Sequence, residues 1–176
     1  MISYALDQIS AQIPDALIER YVDRSGDQWG VVSPNQMAAV ARLAKEKLGF
    51  RLFVSMDAVD RLHLSPEEQN PRFEVLYFLR NLERGEQLRL KVRVNEGESI
   101  PTIQNIFQGA NWGERFVWAF YGVRIEGGEQ RRMLMYEDFQ GHALRKDYPL
   151  RGRQPLTSEL PLLDEMRGPG TSNVTE

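Results

Sequence analysis

The chain has 176 residues, 41% hydrophobic and 10% aromatic, with a formal net charge of −3 and pI near 5.6. That composition excludes a disordered chain and suits one folded domain with a real core. The mild acidity excludes a global field for nucleic acid or anionic lipid, and the lack of cysteine excludes disulfides, thiolate zinc, cysteine nucleophiles and thiolate-held iron–sulfur clusters.

The opening MISYALDQISAQIP has no basic stretch followed by an apolar run, so no secretion signal is expected, and the chain should stay in a bacterial cytoplasm. Apolar runs reach only a few residues, far from the ~20 that span a bilayer. Ile2, Leu6, Ile9 and Ile13 recur at helical spacing before Pro14, predicting a short helix over 2–13. Ile18–Asp23 and Gln28–Val32 read as strands around the turn at 24–27.

A helix is predicted over 34–48, with Ser33 as cap, Gln36 completing a capping box, Pro34 at the first helical position and Gly49 as the stop. Its apolar stripe is Met37, Val40, Ala41, Ala44 and Leu48.

Three strand candidates follow. Arg51–Ser55, with some of 56–64, is rich in β-formers; Phe73–Leu79 is nearly all apolar and reads as a central strand covered on both faces. Leu88–Val94 alternates, with Leu88, Leu90, Val92 and Val94 inward and Arg89, Lys91 and Arg93 outward. Residues 81–87 make a hairpin loop, and 65–71 a polar loop.

Asn111 and Glu114 suggest a capped helix to Tyr121, stopped by Gly122. Its residues Trp112, Phe116, Val117, Trp118, Ala119, Phe120 and Tyr121 leave almost no polar face, so it needs cover on most sides. Trp112 and Phe116 are expected inside, with Trp118 or Tyr121 toward another layer or a partner. A short helical turn is predicted at 131–135. The chain then divides into a domain over 1–150 and an extended tail over 151–176.

Asp138, His142 and Ser158 are the residue types of a hydrolytic triad, but no helix or nucleophile elbow fixes them, and a loop histidine bonded to backbone is the simpler reading. His63 reads as structural. Gly168-Pro169-Gly170 follows no strand and is no dinucleotide fingerprint. Arg89, Lys91 and Arg93 could track a polyanion, though such a face is more simply solvated or met by acids. The run 144–153 holds Arg145, Lys146, Arg151 and Arg153 against Asp147, with Tyr148 among them. That is interface composition, and without periodicity the segment is expected to take its order from a partner.

The stretches RFEVLYFLRNLERGEQLRLKVRV, GANWGER, FYGV and GHALRKDYPL occur in an order and spacing that resembles the C subunit of bacterial NADH–quinone oxidoreductase, respiratory complex I. The resemblance spans about Phe73 to Leu150. It implies an α+β domain with a mixed sheet packed by a few helices and followed by an extended C-terminal segment. It also implies a non-catalytic subunit of the hydrophilic arm of a proton-translocating enzyme, holding no cofactor itself, with FMN and iron–sulfur clusters on other subunits. Docking to the D and B subunits is implied, with no nucleic acid partner, and attachment to the cytoplasmic side of the plasma membrane only through partners. The interface residues implied are Trp112, Glu114, Arg115, Trp118, His142, Arg145, Lys146, Asp147, Tyr148 and Arg151. The alternatives are the equivalent subunit of a membrane-bound hydrogenase or of a ferredoxin- or F420-fed quinone reductase, or a free-standing polyanion-binding domain. This chain has Phe116 and Ala119 where the family usually has acids, Gly128 where it usually has histidine, and Ala143 where it usually has proline.

Overall fold

The computed structural model describes residues 4–64, 70–136, 138–151 and 154. Expectations for Ile2, most of the 65–71 loop, Arg153, Ser158, Gly168-Pro169-Gly170 and the rest of the tail lie outside the described residues.

Helix α1 (Tyr4–Gln12) leads into a hairpin of β1 (Leu17–Val22) and β2 (Gln28–Val32). A 3-10 turn at Pro34–Gln36 opens helix α2 (Met37–Glu46); strands β3 (Leu52–Asp60), β4 (Phe73–Asn81) and β5 (Glu86–Val94) follow. A three-residue strand β6 (Ser99–Pro101), helix α3 (Ala110–Tyr121) and a second short strand β7 (Arg124–Glu126) complete the regular elements. The main sheet runs β1-β2-β5-β4-β3, antiparallel except where β2 lies parallel to β5. Strands β6 and β7 form a separate parallel pair. The architecture is α+β with a mixed sheet.

The register shows which face is covered. Gly30, Leu90, Tyr77 and Met56 stand side by side across β2, β5, β4 and β3. A Cβ on Gly30 would meet Leu6 of α1, and one on Gly113 of α3 would meet Met56, so α1 and α3 lie on the same face. Leu90 and Tyr77 beneath them are shut off from solvent. The next row, Val31, Lys91, Leu76 and Asp57, points the other way because strand side chains alternate.

Strand β5, in which Leu88–Val94 alternate as expected, is the middle strand. Phe73–Leu79 belongs to β4, one place off centre; its apolar run arises because outward Leu76 and Phe78 are half-buried too. Neither predicted cap forms. The Ser33 side chain makes no cap bond, and a 3-10 turn precedes α2. Helix α3 begins at Ala110, with Gly109 at its N-cap, while Asn111 donates to Gln104 Oε1 at 3.3 Å. Trp112, expected inside, is 63% exposed, whereas Phe116 packs half-buried against the core beside Phe120. Residues 131–135 form no helical turn. The β6–β7 pair gave no signal because three residues are too few to show a period.

Gly113 decides how closely α3 approaches the sheet, since a Cβ there would sit 2.7 Å from Met56 Cβ. Gly to Ala inside a helix normally gains ~1 kcal/mol, but here the clash should reverse the sign. We expect Gly113→Ala to destabilise the chain by about 1–3 kcal/mol in denaturant melts; a stabilised variant would contradict this packing.

Candidate docking surface

A helix ends with four carbonyls that have no partner within it. In α3 the Trp118 carbonyl is met by the amide of Gly122, whose φ of 75° makes the left-handed stop. The other three are met by a segment that returns from 132 to 148. Arg132 Nη1 donates to Ala119 O at 3.2 Å, and His142 Nδ1 lies 3.0 Å from the same oxygen. The Leu144 amide donates to Phe120 O, and Arg145 Nε donates to Tyr121 O at 2.6 Å. We call this segment the strap. The cations among these donors also suit the negative end of the helix dipole. His142 Nδ1 must carry a hydrogen to serve a carbonyl. Burial, partly offset by that bond, holds the imidazole below its usual pKa, so it is neutral at pH 7.

A charge cluster ties the strap to the sheet. Asp60, at the end of β3, has a fully buried side chain and takes both Nε and Nη2 of Arg72, at 3.1 and 2.9 Å. It also accepts the backbone amides of Leu62 and, from the strap, Lys146. Arg72 extends to Glu96 at 2.8 Å and to Asp147 at 2.9 Å, and Arg145 closes the circuit on Glu96. Both guanidiniums lie near the Phe73 ring, 4.9 and 5.3 Å from its centroid. Burial would raise the Asp60 carboxyl, but Arg72 and the two amides outweigh it and hold it low. The bond from Arg145 lowers Glu96, and the bond from Arg72 lowers Asp147.

Aromatic contacts fill the space between these bonds. Arg132 lies over Trp118 and Phe139, Trp118 meets His142 edge-on, and Phe139 stacks on Tyr148 at 5.9 Å. Gln154 Nε2 donates to the Tyr148 hydroxyl at 2.8 Å, and the Gln140 amide donates back to Gln154 Oε1.

The predicted interface residues therefore divide. His142, Arg145, Asp147 and Tyr148 face their own domain, so the strap does not depend on a partner for its contacts, contrary to the expectation from its composition. Glu114 lies inside the domain at 2% exposure, accepting from Thr102 Oγ1 at 2.6 Å and the Ile103 amide at 2.7 Å. Trp118 is half-buried. Trp112, Lys146 and Arg151 are exposed, with Leu144 at 44% and Leu150 fully open. Arg115 lies over Trp112 at 5.1 Å; its Nε is buried with no hydrogen-bond partner among the described residues, and Glu129 stands 3.8 Å away. Nothing in the sequence pointed to Asp60, Arg72 and Glu96, which become a group only when the end of β3, the start of β4 and the residues after β5 are brought together, nor to Arg132, which caps α3.

The outward cations are already paired. Arg89 meets Asp27 at 2.9 Å, Lys91 and Arg93 share Glu74, and Arg93 also reaches Glu19. That leaves little charge for a polyanion. His142 has Nδ1 on a carbonyl and Nε2 packed over Gly122, the backbone-bonded loop histidine expected from the sequence. Among the described residues no three His, Cys, Asp or Glu cluster to hold a metal ion, and no helix is long and apolar enough to cross a membrane.

A mixed sheet covered on one face, with a strap tied over its last helix and a ridge of apolar and basic side chains, defines an α+β domain with a segment laid across it. Residues 31–154 match the family described as the respiratory-chain NADH dehydrogenase 30 Kd subunit, and the chain belongs to that family. It is 40% identical over 124 residues to the C 2 subunit of NADH-quinone oxidoreductase from Rhizobium meliloti (strain 1021), covering 69% of this chain and 65% of that one, just under two thirds. Against the C subunit from Geobacter sulfurreducens it is 37% identical over 139 residues, 77% of this chain and 83% of the relative. The C/D 2 subunit from Aquifex aeolicus (strain VF5) is 37% identical over 148 residues, 84% of this chain but 24% of that longer protein. A solved structure of the membrane-bound sulfane sulfur reductase, an archaeal respiratory membrane complex, contains a chain of the same fold. It has a TM-score of 0.65 and 25% identity, covering 97% of this chain and 95% of that one.

Two predictions concern the charges. Arg145→Glu would remove the donor to Tyr121 O and set two carboxylates together, so the isolated chain should lose roughly 1–3 kcal/mol; an unchanged melt would contradict the circuit.

Glu114 is the opposite case. Burial raises its carboxyl above the usual 4.5, and its neutral donors only partly compensate. The native state therefore keeps that proton to higher pH than the unfolded state, and stability falls as pH rises from about 4.5 through the raised value. Glu114→Gln removes this term, so its stability relative to the parent should improve between pH 4 and 8 in urea melts. A constant difference across that range would contradict it.

Proposed function

We propose that this chain is a structural subunit of the hydrophilic arm of a proton-translocating NADH–quinone oxidoreductase, docking to the D and B subunits and taking no part in a chemical step. FMN and the iron–sulfur clusters would then belong to other subunits, and the chain would lie on the cytoplasmic side of the plasma membrane through its partners alone. The observation that carries the reading is that relatives matching most of this chain bear the joint name C/D, with the C-like stretch forming only 24% of the Aquifex protein. Two subunit letters on one polypeptide fit a pair that works side by side. The docking surface in this reading is the exposed ridge of Leu144, Lys146, Leu150 and Arg151, with Trp112 on α3 as a second contact. Basic and apolar side chains together suit a partner offering carboxylates around an apolar pocket.

The test is to purify a tagged chain from membranes and assay for D and B subunits. Lys146→Glu with Arg151→Glu should cut their recovery by about tenfold or more, because like charges then meet across the contact. The isolated variant should melt within ~0.5 kcal/mol of the parent, since both residues are exposed. Full recovery with the double reversal would overturn the docking surface.

The likeness to the sulfane sulfur reductase chain favours a second reading, the same structural place in a related membrane complex with another electron donor. Loss of NADH-driven quinone reduction on deleting the chain supports the first reading; its persistence supports the second.

A further inference from the structure

We propose that Asp60, Arg72, Glu96, Arg145 and Asp147 form a latch that folds residues 142–148 onto the chain's own domain before any partner arrives, leaving the outer side of that segment as a preformed ridge. The latch rests on the geometry alone; only the use of the ridge rests on the docking role proposed above.

Three features support it. First, the strap's inward groups are bonded one by one: His142 and the Leu144 amide to carbonyls of α3, Arg145 to Tyr121 O and Glu96, the Lys146 amide to Asp60, and Asp147 to Arg72. A segment ordered only by a partner would leave such groups to water. Second, Asp60 is too deeply buried to be left unpaired, and two of its donors, Arg72 and the Lys146 amide, come from different parts of the chain. Releasing residues 142–148 would remove an amide from a buried carboxylate and leave the Phe120 and Tyr121 carbonyls at the end of α3 without their donors, so opening is opposed from both sides. Third, inward and outward side chains alternate. Arg145 turns in and the half-exposed Asp147 reaches back to Arg72, whereas Leu144 and Lys146 beside them are exposed, so closing the latch sets the direction of the outer pair. A ridge fixed beforehand loses less conformational entropy on binding than one ordered by its partner.

The experiment is hydrogen–deuterium exchange on the isolated full chain at neutral pH. Amides of Leu144 and Lys146 should exchange at least about tenfold more slowly than an unstructured peptide, as expected for bonds that open only locally. Asp60→Asn should accelerate both by about tenfold, the effect of weakening a charge-assisted bond, while β4 and β5 remain protected. Should that buried change unfold the chain, the pair Glu96→Gln and Asp147→Asn removes two half-exposed acids from the same circuit and should accelerate the same amides. Wild-type exchange at the rate of an unstructured peptide would overturn the latch. So would variants that fold yet leave strap exchange unchanged. Slow exchange that the variants accelerate supports the latch even if the chain captures no D subunit, an outcome that would count against the docking role instead.

Discussion

The end of α3 sets the main constraint on this molecule. Three carbonyls, those of Ala119, Phe120 and Tyr121, need donors from elsewhere, and all three receive them from the strap. Gly122 makes this geometry accessible in two ways. Its left-handed backbone turns the chain away from the helix, and a Cβ there would stand 2.5 Å from both His142 Nε2 and Arg145 Nη2. With a side chain at 122, the two capping groups could not approach. The charge cluster at Asp60 then anchors the strap's far end to the sheet, so one short segment joins α3, the end of β3 and the residues after β5.

Burial explains why that cluster has its composition. A carboxylate with no solvent contact is costly unless it is paired and its remaining lone pairs are filled. Asp60 meets both conditions with two guanidinium bonds and two amides. Arg72, bridging three acids, lets Glu96 and Asp147 remain half-exposed while still contributing. The outward face of the sheet follows the same logic with Glu74, shared by Lys91 and Arg93. Two of the three cations that look in sequence like a stripe for polyanions neutralise a buried acid, and the third, Arg89, pairs with Asp27.

What the sequence revealed followed from period and punctuation. The alternation of Leu88, Leu90, Val92 and Val94, the stripe Met37–Val40–Ala41–Ala44 and the stops at Gly49 and Gly122 are local patterns, and the structure keeps them. The family could be read from motifs between Phe73 and Leu150 for the same reason. The strap's partners could not be read, because the groups that meet there are 12 to 86 positions apart in sequence. Arg145 beside Lys146 and Arg151 reads as one basic run, yet the fold turns Arg145 inward and leaves the other two outside. Composition gave the chemistry of the segment but not which side of it faced home. Trp112 and Glu114 went astray similarly. An apolar helix suggests a buried tryptophan and a capping glutamate, but the close approach of Gly113 to Met56 rotates Trp112 outward and carries Glu114 to Thr102.

Two buried carboxylates thus hold the two ends of α3 by opposite means. At the C-terminal end Asp60 works as an anion, stabilised by guanidinium, and the contact weakens as acid protonates it. Near the N-terminal end Glu114 has only neutral donors, so burial dominates and its proton is retained more readily. Acidification should therefore loosen the strap while easing the strain at Glu114, and the two halves of one helix should respond to pH in opposite directions. Gly128 shows how little separates the cases. A Cβ there would stand 3.2 Å from Glu114 Oε2 but 2.9 Å from Ile125 Cγ2, so a basic side chain could supply the missing counter-charge only if Ile125 gave way. Glycine supplies none, so at Glu114, which pins the loop at 102–103, the cost of burial prevails, whereas at Asp60 Arg72 and the amides outweigh it.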